Sequence, residues 1–100
     1  MSSLFLVGGY STPSHDGSVR TLELVRTADS LPTLQWVGEP LAMKNPSYFA
    51  YNPLKNRIYV TNETIVPPHY GMVTELAVNP DGSVSPCSSL QHEGGASCHI

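Results

Sequence analysis

His99 is the side chain of this sequence best suited to acid–base chemistry, because an imidazole takes up and releases protons near neutral pH. Cys98 precedes it directly, which raises the question of a thiolate–imidazole pair. Adjacent residues of a strand point to opposite faces, so an extended segment at residues 96–100 excludes such a pair. We therefore expect His99 to be the candidate catalytic residue and Cys98 to pack between neighbouring elements.

The other cysteines, histidines and glycines do not match the spacings of metal or phosphate sites. A structural metal needs ligands in patterns such as C-x2-C or H-E-x-x-H, and the sequence contains neither. Gly8-Gly9 and Gly94-Gly95 lack the further glycines and the following helix of a phosphate-binding loop. We expect no metal and no cofactor, and we interpret both cysteines as free thiols.

Charge and composition restrict the partners of the protein. The formal net charge is −3, with only five Lys and Arg residues, so no basic surface is available to neutralise the phosphates of nucleic acid or of anionic lipid. The N-terminus has no basic region, and its apolar run Leu4–Val7 is too short for a signal peptide or a membrane span. The sequence therefore predicts a cytoplasmic protein that binds neither nucleic acid nor membrane.

Hydrophobic periodicity predicts strands along nearly the whole chain and a helix nowhere. Apolar and polar residues alternate over short stretches, most of which end at Gly, Asn or Pro. Pro86 weakens the seventh stretch, because proline in a sheet is confined to edge strands and bulges. The predicted strands are Leu4–Val7, Val19–Val25, Leu34–Val37, Tyr48–Tyr51, Ile58–Thr61, Met72–Val78, Val84–Leu90 and Ala96–Ile100.

These strands repeat with a period near 50 residues. A period of this length with four strands in each unit is typical of propeller blades, since one four-stranded sheet buries both faces only when neighbours stack on it. A stand-alone antiparallel sheet or small sandwich is the alternative. The matching positions are Phe5 and Val7 with Ile58 and Val60 at an offset of 53, Leu22 and Leu24 with Leu76 and Val78 at an offset of 54, and Ser47 with Ser97 at an offset of 50.

The sequence therefore predicts an all-β fold of propeller blades, each with four antiparallel strands. Residues 1-43 are expected to form a partial first blade, residues 44-93 a complete blade, and residues 94-100 the start of the next one. A propeller needs at least four blades, so we expect the chain to be the N-terminal part of a single larger domain. The inner strand missing from the first blade would then come from the far C-terminus, and the chain alone would be unstable, oligomeric or prone to aggregate.

Four stretches carry a family likeness: Val7–Ser11, Asn45–Ala50, Arg57–Glu63 and Gly94–His99. In order and spacing they resemble the lactonase-type seven-bladed β-propellers, a family that includes bacterial 6-phosphogluconolactonases and fungal enzymes that lactonise carboxymuconate. The resemblance implies an active site at the mouth of the central channel and, as the first choice, hydrolysis of a sugar lactone. A carboxymuconate cyclase-like enzyme and a non-catalytic interaction scaffold are the alternatives, because fold alone does not fix function.

Three side chains are the candidate contacts for a lactone or carboxylate substrate: Asn45, Glu63 and His99. The resemblance places the end of the strand at Glu63 near the channel opening, and we expect His99 on an inner strand, which lines the channel. Because Asn45 precedes a proline, we expect extended backbone there, with the amide aimed at the channel. Each residue also has a structural interpretation: a turn for Asn45, a solvated strand end for Glu63 and a loop contact for His99. The remaining catalytic residues are expected beyond Ile100.

Overall fold

A computed structural model describes residues 2–63 and 71–91. These residues form seven antiparallel strands in two sheets and contain no helix, so the predicted all-β class is confirmed. The first sheet has the order β1-β2-β3, with strands Ser2–Gly9, Ser18–Val25 and Thr33–Ala42. The second has the order β4-β5-β6-β7, with strands Pro46–Asn52, Arg57–Asn62, Met72–Val78 and Val84–Gln91.

The third strand is longer than the predicted Leu34–Val37, because a bulge allows strand pairing to continue beyond Gly38. The pairing of β2 with β3 shifts register between Val19 and Thr21, and Gly38 takes a positive φ of 69°. The Nε of Arg20 donates a hydrogen bond to the Gly38 carbonyl oxygen at 2.9 Å. This bond gives the distorted backbone a partner, so the strand continues to Ala42.

The seventh strand accommodates its proline at the edge of the sheet. Among the described strands, β7 pairs with β6 alone, and Pro86 stands opposite Leu76 where the register shifts. Glu75 stands opposite Ser88, so Cys87 is the extra residue of a bulge. An edge position with a bulge removes the need for the N–H that proline lacks, which explains why Pro86 does not end the strand. Cys87 is a free, exposed thiol.

The repeat seen in the sequence is also a repeat of strand register. Phe5 stands opposite Leu22 in the first sheet, and Ile58 stands opposite Leu76 in the second. The offsets of 53 and 54 residues therefore relate equivalent cross-strand pairs. Each sheet thus carries the same row of apolar side chains on the same face.

The core lies between the two sheets. Val19 from the first sheet and Val60 and Leu76 from the second are fully buried against each other. A buried hydrogen bond adds to this contact, since the Thr21 hydroxyl donates to the Gly82 carbonyl oxygen at 2.8 Å. Partly buried residues surround the three core side chains: Leu6, Leu41, Met43, Phe49, Ile58 and Val84.

Candidate functional site

Three connections meet at one end of the two sheets. Because neighbouring strands are antiparallel, the loop 10–17 between β1 and β2 lies beside residues 43–45, which join the two sheets. Residue 63, which follows β5, lies at the same end, since Asn62 pairs with Pro46. We call residues 10–17, 43–45 and 63 the loop end. Two of the three predicted substrate contacts, Asn45 and Glu63, belong to it.

Asn45 connects the other two segments of the loop end. Its Oδ1 accepts a hydrogen bond from the Ser11 N–H at 2.9 Å, between residues 34 positions apart. Its backbone carbonyl oxygen accepts the Glu63 N–H at 2.8 Å. One residue therefore positions the first sheet's loop through its side chain and the end of β5 through its backbone. No described residue offers an acceptor to the Asn45 Nδ2, which stays available as a donor.

The backbone of Asn45 is left-handed rather than extended, so the expectation drawn from Pro46 was wrong. Its φ is 39°, a region that asparagine tolerates better than other residues with a β-carbon. The bond from Ser11 accounts for the difference, because it fixes the side chain and with it the local backbone. This left-handed conformation agrees with the alternative interpretation of Asn45 as a turn residue.

Glu63 lies directly after β5 and is half-buried. Its backbone is fixed by the bond to Asn45, whereas its carboxylate has no hydrogen-bond or ion-pair partner within residues 2–63 and 71–91. A carboxylate held by its backbone and otherwise uncommitted can accept hydrogen bonds from a substrate hydroxyl or pair with a cation. The structure therefore joins Glu63 to Asn45 through a backbone hydrogen bond, and the role of both side chains in a substrate site stays a prediction.

A buried polar contact holds the connection between the sheets in place. Asn62 is only 1% exposed; its Nδ2 donates to the Lys44 carbonyl oxygen at 2.7 Å, and its Oδ1 accepts from the Thr74 hydroxyl at 2.7 Å. Beside it, the hydroxyls of Ser47 and Thr61 lie 2.9 Å apart. Satisfied polar groups of this kind fix a unique geometry, so the residue before Asn45 has little freedom.

Gly17 allows the loop 10–17 to approach the connection closely. A β-carbon at this position would lie 2.5 Å from the Met43 carbonyl oxygen and 2.7 Å from that of Gly9. The Gly17 carbonyl accepts the Met43 N–H at 2.8 Å, and its N–H donates to the Ser11 hydroxyl oxygen at 3.0 Å. A side chain here would therefore push the loop away from Asn45.

Ser11, Gly17 and Asn62 support the site, and the sequence did not reveal these roles. Ser11 and Gly17 act across long separations along the chain, which no local pattern of residues encodes. Asn62 directly follows the predicted strand Ile58–Thr61. No local sequence signal distinguishes a buried, hydrogen-bonded amide at a strand end from a solvated one. The glycine of Asp16-Gly17 carried the only usable signal, since glycine often marks a close approach of two backbones.

The third predicted contact, His99, lies outside the described residues, and so does Cys98. Within the described ranges, no three His, Cys, Asp or Glu side chains come together in a way that could hold a metal ion. No helix in that part of the chain is long and apolar enough to cross a membrane. The division into blades at residues 1-43, 44-93 and 94-100 stays a prediction.

Comparison with known proteins identifies the family. Residues 4–100 match the family model described as lactonase, 7-bladed beta-propeller. Neither the curated proteins nor the solved structures gave a match. The family match spans nearly the whole chain, confirms the predicted propeller and supports a lactonase-type function in general. The chain therefore belongs to the lactonase family of seven-bladed β-propellers.

Proposed function

We propose that this chain provides scaffold and one wall of the substrate opening in an enzyme that hydrolyses a sugar lactone, as 6-phosphogluconolactonases do. The observation that carries the proposal is the family match over residues 4–100. The arrangement at the loop end supports it, because an uncommitted carboxylate and an uncommitted amide N–H group lie on residues that are bonded to each other.

Lactone hydrolysis sets clear chemical requirements. Water adds to the ring carbonyl carbon, the bond from that carbon to the ring oxygen breaks, and the departing oxygen takes a proton to give a hydroxy acid. Such a site needs a proton-transfer group and donors for the developing negative charge. In our proposal His99 transfers the proton, the Asn45 Nδ2 donates to a substrate oxygen, and Glu63 accepts from a substrate hydroxyl.

The remaining parts of the proposal concern partners and compartment. We propose a lactone or a related carboxylate as the partner and a cytoplasmic location, and no contact with nucleic acid or with a membrane. The low content of Lys and Arg supports these choices.

The test is hydrolysis of 6-phosphogluconolactone by the full-length gene product, measured against the spontaneous opening of the lactone. We expect clear acceleration, and we expect Glu63→Gln to raise KM by about tenfold, the equivalent of roughly 1.4 kcal/mol for one lost charge-assisted hydrogen bond. Glu39→Gln is the matched control, because it removes the same charge from an exposed position of β3. It should leave KM unchanged.

Two outcomes would contradict the proposal. If the lactone opens no faster with the protein than without it, while carboxymuconate is converted to its lactone, the muconate-type alternative is correct. If neither substrate reacts, the interaction scaffold is the better explanation.

A further inference from the structure

A cavity outside the candidate lactone site lies between the end of β3 and strands β6 and β7 of the second sheet. Its volume is about 370 Å³, within the size range of small-molecule sites. Neither Asn45 nor Glu63 lines it. Its apolar side is formed by Leu41, Met43 and Met72, and its polar side includes Lys44, Thr74 and Ser89.

The polar side of this cavity is suited to an anion. Among the described residues of the lining, Lys44 alone is charged, and its ammonium group makes no ion pair within residues 2–63 and 71–91. Ser89 stands opposite Thr74, so both side chains share one face of the sheet. The Thr74 hydroxyl donates to Asn62, whereas the Ser89 hydroxyl has no partner among the described residues. One cation and one uncommitted hydroxyl thus border an apolar surface.

The bulge in β7 places Cys87 in the lining of the same cavity. Cys87 is the extra residue of the bulge. Bulges redirect side chains and occur often beside functional sites. Because the Cys87 thiol is free and exposed, its rate of alkylation reports whether the cavity is occupied.

We propose that this cavity binds a small organic anion, in which a carboxylate is joined to a compact apolar group. The carboxylate pairs with Lys44 and accepts the Ser89 hydroxyl, while the apolar group lies on the leucine and methionine side chains. Met43 and Lys44 of the lining belong to the loop end, but Asn45 and Glu63 do not line the cavity, so its occupancy does not depend on the lactonase activity.

The experiment measures protection of Cys87 in the full-length protein. Iodoacetamide alkylates the protein with and without benzoate, and mass spectrometry of the Cys87 peptide gives the rate at that residue alone. Benzoate should slow alkylation in a saturable manner, and benzyl alcohol, which has the same ring without the charge, should protect at least about fivefold less well. A factor of this size corresponds to the loss of one partly exposed ion pair.

Two lysine variants show whether the protection by benzoate depends on the charge of Lys44. Lys44→Gln should weaken benzoate protection by about fivefold. Lys55→Gln removes the same charge from an exposed turn between β4 and β5 and should leave protection unchanged. Unchanged circular dichroism spectra and unfolding midpoints of both variants verify that the fold is intact, and protection is measured against the ligand-free rate of the same variant.

Three results would overturn the proposal: no protection by benzoate, equal protection in Lys44→Gln and in the unmodified protein, or equal protection by benzyl alcohol. Because the readout is thiol alkylation, these results leave the lactonase proposal untouched. A protein inactive on lactones would equally leave this site in place.

Discussion

The two sheets carry equivalent rows of apolar residues in opposite environments. In the second sheet, Leu76 is fully buried against the first sheet. In the first sheet, the equivalent Leu22 is only half-buried, and Phe5 and Trp36, which stand beside it, are each 51% exposed. The two rows share an apolar pair at equivalent positions, Phe5 with Leu22 and Ile58 with Leu76, so we attribute the difference in burial to the neighbouring sheet. A sheet of this family obtains its buried row from the sheet stacked on it, and not from its own strands.

The largest expected effect is a difference in unfolding free energy between leucine-to-alanine substitutions in the two rows. Leu76→Ala should lower the free energy of unfolding by about 2 to 5 kcal/mol, because it leaves a cavity in the only fully closed contact between the described sheets. In the 100-residue chain, whose described residues include no blade that covers the first row, Leu22→Ala should cost less than about half of that loss. Denaturant unfolding of both variants checks the difference. Equal losses would mean that a further sheet or a second copy covers the first row in solution.

Gly17 of the loop end and Gly9, the last residue of β1, provide a matched pair of glycine substitutions. Gly17→Ala places a methyl group against two backbone carbonyl oxygens and should cost about 1 to 3 kcal/mol. Gly9→Ala meets nothing within 4 Å and should change stability by less than about 0.5 kcal/mol. Unfolding midpoints of the two variants provide the measurement. A tolerated alanine at position 17 would show that the loop 10–17 does not pack against the connection as described.

Thr74→Val tests the buried hydrogen bond between Thr74 and Asn62, which supports the connection at residues 43–45. The change keeps the shape of the side chain and removes the hydroxyl that donates to the Asn62 Oδ1, so a loss of about 1 to 3 kcal/mol is expected. Thr74→Ser retains the hydroxyl and should recover most of the loss. If valine and serine behaved alike, methyl packing rather than the hydrogen bond would be the contribution of Thr74.

The smallest effect concerns the turn that presents Gly82 to the first sheet. Hydrogen bonds from the side chain and backbone of Ser83 lower the pKa of the exposed Asp81 carboxyl below its ordinary 3.8. A lowered folded-state pKa contributes stability that is present above pH 3.8 and is lost as the pH falls through the lowered value. Asp81→Asn should therefore flatten the stability profile slightly below pH 4. An unchanged profile would show that this carboxylate is not linked to folding.

Most of the strand pattern could be predicted from the sequence, because apolar alternation and turn residues are local signals. The predicted strand Ile58–Thr61 lies within the observed Arg57–Asn62, and Met72–Val78 matches in full. The strand predicted over Leu34–Val37 was too short, since a bulge stabilised by the side chain of Arg20 has no local signature. The family resemblance was also confirmed over residues 4–100.

The candidate site could be predicted only in part. A backbone hydrogen bond joins Asn45 and Glu63, but the backbone of Asn45 was predicted wrongly, because its conformation depends on Ser11 in the loop 10–17. The preference of a residue before proline is weak compared with a side-chain hydrogen bond that joins two loops. His99 lies outside the described residues, so its role stays a prediction.

The central claim is that Asn45 holds the loop end together through two separate hydrogen bonds. Amide hydrogen exchange at Ser11 and Glu63 tests it directly, in Asn45→Gly and Asn45→Ala. Glycine keeps the left-handed backbone and loses only the Oδ1, so exchange should accelerate at Ser11 alone, by about tenfold for a bond worth roughly 1.4 kcal/mol. Alanine disfavours the left-handed backbone as well, so exchange should accelerate at both amides. Unchanged exchange at Ser11 in both variants would contradict the account.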